Sequence, residues 1–218
     1  MDQTHLTSLT ELLLQRGLHI ATAESCTLGG VASALGSHSG SSAYLQGGII
    51  AYQSDLKTSL LGVPPELIET YHVVSEEVAC AMALGAMEQL QAEVAIATTG
   101  VAGPTGGDAK HPVGTICIAV VFEGPRGPVV NSTTLHLSGS RKENISQAIQ
   151  EALHPVVSQH RGDLPELRVS PAFAETLVMH RAARDRAAER GENAALSRSQ
   201  EEAFIYARQK VTAAQSFI

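Results

Sequence analysis

The sequence predicts an α/β protein: a three-layer α/β/α sandwich on a mixed, mostly parallel sheet, with a helical extension at its C-terminal end. Three observations predict it. Short apolar runs alternate with amphipathic helical patterns over roughly the first hundred residues. Two later apolar runs, 115–122 and 129–137, are separated only by EGPRGP, which reads as a hairpin turn. Polar, glycine-bearing loops follow two of the runs, at Glu24–Gly30 and Gly100–Gly107. Ligands in open α/β sheets bind beside the carboxyl ends of strands, so the two loops are expected to line one site.

The elements follow in order. Leu6, Leu9, Leu13 and Leu14 give residues 4–16 one apolar helical face, and Gly17 suits the position after it. Leu18, Ile20 and Ala21 form a run long enough for a buried strand, which a small polar turn interrupts. Val31, Ala32, Ala34 and Leu35 then begin a helix. GSHSGSS at 36–42 is a loop, and GGIIAY within 44–52 is a second strand. A short helix starts after Ser54, its expected cap, and stops at Gly62 before Pro64–Pro65. Ser75 opens a long helix with Glu76, Glu77 and Glu88 expected outward and Val78, Met82, Leu84 and Met87 inward. VAIATTG at 94–100 is a third strand, next to the strand at 18–23 in the expected sheet, and SGSRKENISQAIQEALHPVV at 138–157 is a further amphipathic helix.

Composition narrows the function classes. Of 218 residues 44% are hydrophobic, enough for a real core, and no apolar run approaches the ~20 residues of a bilayer span. The N-terminus lacks a basic segment followed by an apolar one, so no signal peptide is expected. Three widely spaced cysteines without C-x-x-C suggest neither zinc site nor disulfide framework, which fits a reducing cytoplasm. The nine histidines show no H-E-x-x-H or similar spacing, so neither a metal nor a cofactor is expected. Trp is absent and aromatic residues are 4%, which argues against a nucleic-acid stacking surface. The net charge of −7 is uneven: residues 1–160 carry 6 basic and 14 acidic side chains, residues 161–218 carry 9 and 8. That shift, at RGDLPE, places a boundary between an expected domain at 1–160 and a helical hairpin at 161–218. Phe173, Leu177 and Val178 sit in its first helix, about 171–191, and Ser199–Glu202 is a capping box before 203–217. Its apolar positions, with Phe204 and Ile205, are expected to pack on the core or across a homodimer.

The most informative stretch is LHIATAESCTLGGVA at 18–32. Strand, small polar turn and helix point backbone N–H groups outward at a helix start, where the dipole favours an oxyanion. Ser25 and Cys26 sit on that turn. A plainer alternative is a capped helix with Ser25 or Thr27 as N-cap. Tyr52-Gln-Ser-Asp-Leu-Lys57 places a tyrosine and a lysine five apart after a strand, and TGVAGPTGG at 99–107 with PVGT at 112–115 forms a glycine-rich loop. That loop allows close backbone approach to an anion, or is simply a tight loop.

T-A-E-S-C-T, G-x-A-G-P-x-G-G and Val-Ser-Glu-Glu-Val-Ala at 74–79, in this order and spacing, resemble the CinA C-terminal domain family over roughly residues 5–157. In many members that domain follows a larger one; stand-alone members are nicotinamide-nucleotide amidases. The resemblance implies hydrolysis of the carboxamide of nicotinamide mononucleotide to the nicotinate nucleotide and ammonia, without metal. It assigns Ser25 as nucleophile, Lys57 as general base and Tyr52 as orienting or relaying group. It also implies substrate contacts from Glu24, Cys26, Thr27, Gly100, Gly103, Gly106 and Gly107, with Arg141 holding the phosphate or remaining a surface arginine. A free lysine titrates near ~10.4, so a Lys57 base requires burial to lower its pKa; otherwise it is a solvated helix lysine. Three positions depart from the family's pattern. Leu28 stands where a glycine is usual, His111 where a lysine precedes Pro-Val-Gly, and Ile145 where an arginine is often found. Two alternatives remain open: a non-catalytic nucleotide-binding module, and a serine hydrolase for another small amide.

Overall fold

The computed structural model describes residues 3–123 and 128–160 and the single positions Thr176, Met179, Ala182 and Arg186. The order is α1 (Gln3–Arg16), β1 (Ile20–Glu24), α2 (Gly30–Gly36), a 3₁₀ turn (Ser41–Ala43), β2 (Leu45–Ile50), α3 (Ser54–Leu61), α4 (Pro65–Tyr71), α5 (Glu76–Gln89), β3 (Val94–Gly100), β4 (Thr115–Phe122), β5 (Val129–His136) and α6 (Arg141–His160). The five strands form one sheet in the order β2-β1-β3-β4-β5. β1 pairs in parallel with β2 and with β3, while β3–β4 and β4–β5 are antiparallel. The mixed sheet is as expected, with β4 alone running against the other four, and the strands at 18–23 and 94–99 are neighbours.

Side-chain size divides the two faces of the sheet. Ala21, Ala23, Ala95, Ala97 and Ala119 lie in one buried cluster with the helix face of α5. Ile20, Ile96, Ile116, Ile118 and Val120 lie in the other, with Leu9 and Leu13 of α1, Val31 and Leu35 of α2, and Ala148 and Ala152 of α6. Each fully buried isoleucine contributes about 1.5–3 kcal/mol. The alanine face lets α5 approach closely, and α5 itself is built from small residues. At Gly85 a Cβ would meet the backbone carbonyl of Leu61, so α3 also rests directly on α5.

That double contact corrects the expected amphipathic reading of α5. Every residue from Val78 to Met87 is buried, because the sheet covers one side and α3 and α4 the other. Ser75 caps the helix, its Oγ accepting from Val78 N at 3.2 Å. Glu76 does not face outward freely: it accepts from Ser132 Oγ at 2.6 Å and Thr134 Oγ1 at 2.8 Å, tying α5 to β5. Two local readings also change. The N-cap of α3 is Gln53, without a side-chain cap, and Ser54 is the first helical residue. Pro65, which was expected only to stop a helix, begins α4 at its first position, where the missing N–H costs nothing.

The chain divides into two compact units, Met1–His180 and Arg181–Ile218. In the first, Thr176 is fully buried and Met179 packs against the α5-side cluster. Beyond the four single positions, all helical, the expected hairpin lies outside the described residues, including Phe173, Leu177, Phe204 and Ile205. Among the described residues no helix is long and apolar enough to cross a membrane.

Candidate active site

The chain leaves β1 for β2 on one side and later returns to β3 on the other. The gap between the carboxyl ends of β1 and β3 is therefore the topological switch point of the sheet. Ser25 is the first residue past β1, and its N–H donates to Thr98 O of β3 at 2.9 Å. Its side chain is nearly buried. Lys57, in the first half of α3, reaches the same point from behind β2. Its Nζ lies 3.1 Å from Ser25 Oγ, 2.7 Å from Ala51 O and 3.2 Å from Tyr52 O.

Lys57 has no exposed surface at all. No carboxylate pairs with it among the described residues, and burial lowers its pKa to about 8. A neutral amine has two N–H groups and one lone pair. The carbonyls of Ala51 and Tyr52 take the two N–H groups and leave the lone pair for the Ser25 hydroxyl. Cys26, the neighbouring thiol, is in the opposite condition: burial pushes its pKa up to about 12, so it stays protonated and inert at neutral pH.

Tyr52 meets this pair through its backbone. Its carbonyl accepts from Lys57 Nζ and stands 3.5 Å from Ser25 Oγ, while its side chain is half exposed.

Glu24 is built into the scaffold. It is 1% exposed and its two carboxylate oxygens accept four hydrogen bonds. Oε1 takes Thr22 Oγ1 at 3.1 Å and Ala32 N at 2.8 Å; Oε2 takes Thr27 Oγ1 at 2.6 Å and Val31 N at 3.0 Å. The start of α2 is thus capped by a carboxylate from the preceding strand, and neither Ser25 nor Thr27 is its N-cap, which is Gly29. This overturns the expectation that the α2 start offers free N–H groups to an oxyanion. Thr27 is fixed in turn by Thr98 Oγ1 at 2.7 Å. Cys26 and Thr27 keep their side chains inside, but among the described residues neither N–H makes a backbone hydrogen bond. The N–H of Gly29 is likewise without a backbone hydrogen bond there, so the turn carries three such donors.

The glycine-rich loop follows β3. Gly100 is required by the sheet, since a Cβ there would meet the backbone of Thr115 and Ile116. At Gly107 it would meet Val113 N and His111 O, so that glycine serves the loop's own close packing. Gly103 and Gly106 have φ of 90° and 92°. Arg141, the first residue of α6, donates from Nη1 to Gly103 O at 2.9 Å, and Asn144 Nδ2 donates to Ala102 O at 3.0 Å. The loop is therefore held from α6, and the remaining guanidinium donors of Arg141 make no hydrogen bond among the described residues.

Known proteins match this chain in sequence and in fold. A profile of the CinA C-terminal domain matches residues 2–159. The chain belongs to the CinA C-terminal domain family. A CinA-like protein of Chlorobium luteolum is 45% identical over 153 residues, covering 70% of this chain and 36% of that protein. One of Mycobacterium avium is 46% identical over 155 residues, covering 70% and 35%. The chain thus spans about a third of the length of these curated relatives. Among solved structures, a CinA superfamily protein of Escherichia coli superposes with a TM-score of 0.68 at 31% identity, covering 73% of this chain and 92% of that one. The competence/damage-inducible protein CihA of Agrobacterium tumefaciens gives 0.67 at 34%, covering 72% and 93%.

The departures of this CinA-type domain have structural counterparts. Leu28 adopts φ 55°, the left-handed conformation that a glycine takes freely, and is 48% exposed. Ile145 packs against the α1, α2 and α6 cluster. His111 stacks on His72, with ring centroids 4.1 Å apart. Sequence reasoning missed Thr98, Ala51 O and His72. Only the two threonines closing an otherwise apolar strand at 98–99 gave any signal.

Proposed function

We propose that this domain hydrolyses the carboxamide of nicotinamide mononucleotide to nicotinate mononucleotide and ammonia through Ser25 and Lys57. The observation that carries the reading is the buried Lys57 amine, paired with no carboxylate among the described residues and 3.1 Å from Ser25 Oγ. With its pKa near 8, roughly a tenth of it is the free base at pH 7, against well under a thousandth for an ordinary lysine.

Neutral Lys57 removes the Ser25 proton as Oγ attacks the carboxamide carbon. The N–H groups of Cys26 and Thr27 stabilise the oxyanion that forms. Collapse of the tetrahedral species breaks the C–N bond, and Lys57 returns the proton to the leaving ammonia. Water, deprotonated by Lys57, then attacks the acyl carbon, and the acyl–oxygen bond breaks as Lys57 returns that proton to Ser25 Oγ, releasing the nicotinate nucleotide. The pyridine nucleotide is supported by the family membership, and by Arg141 at the Gly103 loop, whose fork of donors suits a phosphate.

The half-exposed Leu28, three residues from the nucleophile, favours a second reading within the same chemistry, a different small amide. The test is ammonia release from nicotinamide mononucleotide, free nicotinamide and a panel of small amides. Turnover of the nucleotide that disappears in Ser25→Ala is expected. Turnover of another amide alone selects the second reading, and nucleotide binding without turnover of any amide leaves a binding module.

A further inference from the structure

His111, which stands where the family's pattern has lysine, is joined to His72 and Asp108. The three residues come from two separate segments. His72 ends α4, and Asp108 and His111 lie in the loop between β3 and β4. One donor atom from each lies within 4.8 Å of the others. His72 has φ 72° and ψ 154°, a backbone region occupied almost only by glycine, so an imidazole is held there against a steric preference. Asp108 shapes the loop: its Oδ1 accepts from Lys110 N at 2.8 Å and His111 N at 2.7 Å, which turns the His111 ring back toward the carboxylate, 3.3 Å from Nδ1.

We propose that His72, Asp108 and His111 bind a divalent transition-metal ion of the Zn²⁺ class, and that the ion fastens the 101–114 loop to the α4–α5 link. Two imidazoles and one carboxylate are a donor set for a borderline ion, not for Ca²⁺ or Mg²⁺, which take oxygen ligands. Three protein ligands leave at least one position for water. Zinc–nitrogen bonds of about 2.0–2.1 Å place neighbouring donors of a tetrahedral site about 3.3 Å apart, so the trio closes by an ångström or so. The imidazoles are parallel, with 10° between their planes, and coordination requires in-plane lone pairs to converge. One ring therefore turns on uptake of the ion. His72 Nδ1 also accepts from Val74 N at 3.2 Å. Coordination through either ring nitrogen releases that long bond, by displacement at Nδ1 or by moving the proton there. His72 and Asp108 are exposed and His111 half-buried, so an ion has a path in and the rings have room to move.

The fastened elements adjoin the proposed site. Val73 O, next to His72, accepts from Thr99 Oγ1 of β3 at 2.8 Å, and the loop carries Gly103 and its Arg141 contact. An ion here restrains the loop without touching Ser25 or Lys57. The inference stands independently of the amide chemistry, since its readouts are metal affinity and loop exchange.

The test uses the full chain. Zn²⁺ is titrated in competition with a chromophoric chelator, and Co²⁺ is followed by visible absorption, which intensifies when the ion leaves six-coordinate water for a protein site. One ion per chain is expected, with affinity falling about tenfold or more in His72→Ala and in His111→Lys. Asp108→Asn keeps the oxygen that shapes the loop and removes the charge, and is expected to weaken binding as well. Hydrogen exchange across 101–114 is expected to slow in wild type with Zn²⁺ and to be unchanged in His111→Lys. Absence of Zn²⁺ binding, or equal affinity in wild type and all three variants, overturns the site. Binding without slowed exchange overturns the fastening.

Discussion

Two charged-type side chains lie equally deep at the end of β1, Glu24 at 1% exposure and Lys57 at 0%. Glu24 receives four donors, enough to fill its carboxylate's main acceptor sites, and it organises the turn and the α2 start. Lys57 receives two carbonyls and a hydroxyl but no counter-ion among the described residues, and burial drives it toward the free base. Burial alone does not mark a reactive group. What each group faces does: the Glu24 carboxylate is held by four donors that belong to the turn and the α2 start, whereas the Lys57 amine lies 3.1 Å from a hydroxyl it can deprotonate and its pKa is lowered by burial.

The sharpest way to break this contrast is to remove each member of the reactive pair. Ser25→Ala and Lys57→Ala are each expected to lower kcat/KM for ammonia release by about 10³-fold or more, and the double variant is expected to lose little further, because nucleophile and base act as a unit. Lys57→Arg does not rescue, since arginine stays protonated. Activity retained in Ser25→Ala and lost in Cys26→Ala would move the nucleophile one residue along.

Glu24 is expected to fail differently. Glu24→Ala leaves Val31 N, Ala32 N and two threonine hydroxyls without their acceptor and costs about 2–4 kcal/mol in urea unfolding. Glu24→Gln keeps one carbonyl oxygen and costs less. A Glu24→Ala protein of native stability would show that the carboxylate is not structural.

Lys57→Met sharpens the contrast from the other side. Between pH about 8 and the ordinary lysine value near ~10.4, the unfolded chain holds a proton that the folded chain has lost. Stability from this group therefore rises with pH across that window, and the full cost of burying the amine is present below it. Removing the amine lifts a burial cost of up to about 3 kcal/mol at pH 7 and leaves the Ala51 and Tyr52 carbonyls without their donor, at about 1–3 kcal/mol each, so the two terms oppose one another. The variant is expected to be inactive and without that pH slope in urea unfolding. A slope between pH about 8 and about 10 that persists in Lys57→Met would show that it does not come from this amine. The smallest expected effect is at Leu28. Leu28→Gly relieves the φ 55° conformation by about 1 kcal/mol, partly offset by unfolded-state entropy, and if the leucine restricts the pocket it also raises kcat/KM for the mononucleotide.

The fold was largely legible because its strands are continuous apolar runs bounded by glycine and polar turns, as at 94–100 and 115–122. α5 was misread because helical periodicity reports one covered face, and this helix has two. The proximity of Ser25 to Lys57 came from motif resemblance, not from spacing: 32 residues separate them, and only the sheet topology brings them to 3.1 Å. Glu24 escaped because cap rules look to the residue at the helix start, whereas this carboxylate reaches forward seven and eight residues. Leu28 was readable as a departure, a leucine where a glycine is usual, but its left-handed backbone at φ 55° is a finding of the structure. His72 and His111 were invisible as a pair, because no local spacing connects the end of α4 to the loop after β3.

The pH dependence of kcat/KM for ammonia release from nicotinamide mononucleotide tests the central claim most directly. An unprotonated Lys57 as base predicts activity that rises with pH and levels off through an inflection near 8, with the rise abolished in Lys57→Ala. A profile flat from neutral pH upward, or an inflection at the ordinary lysine value, would contradict it.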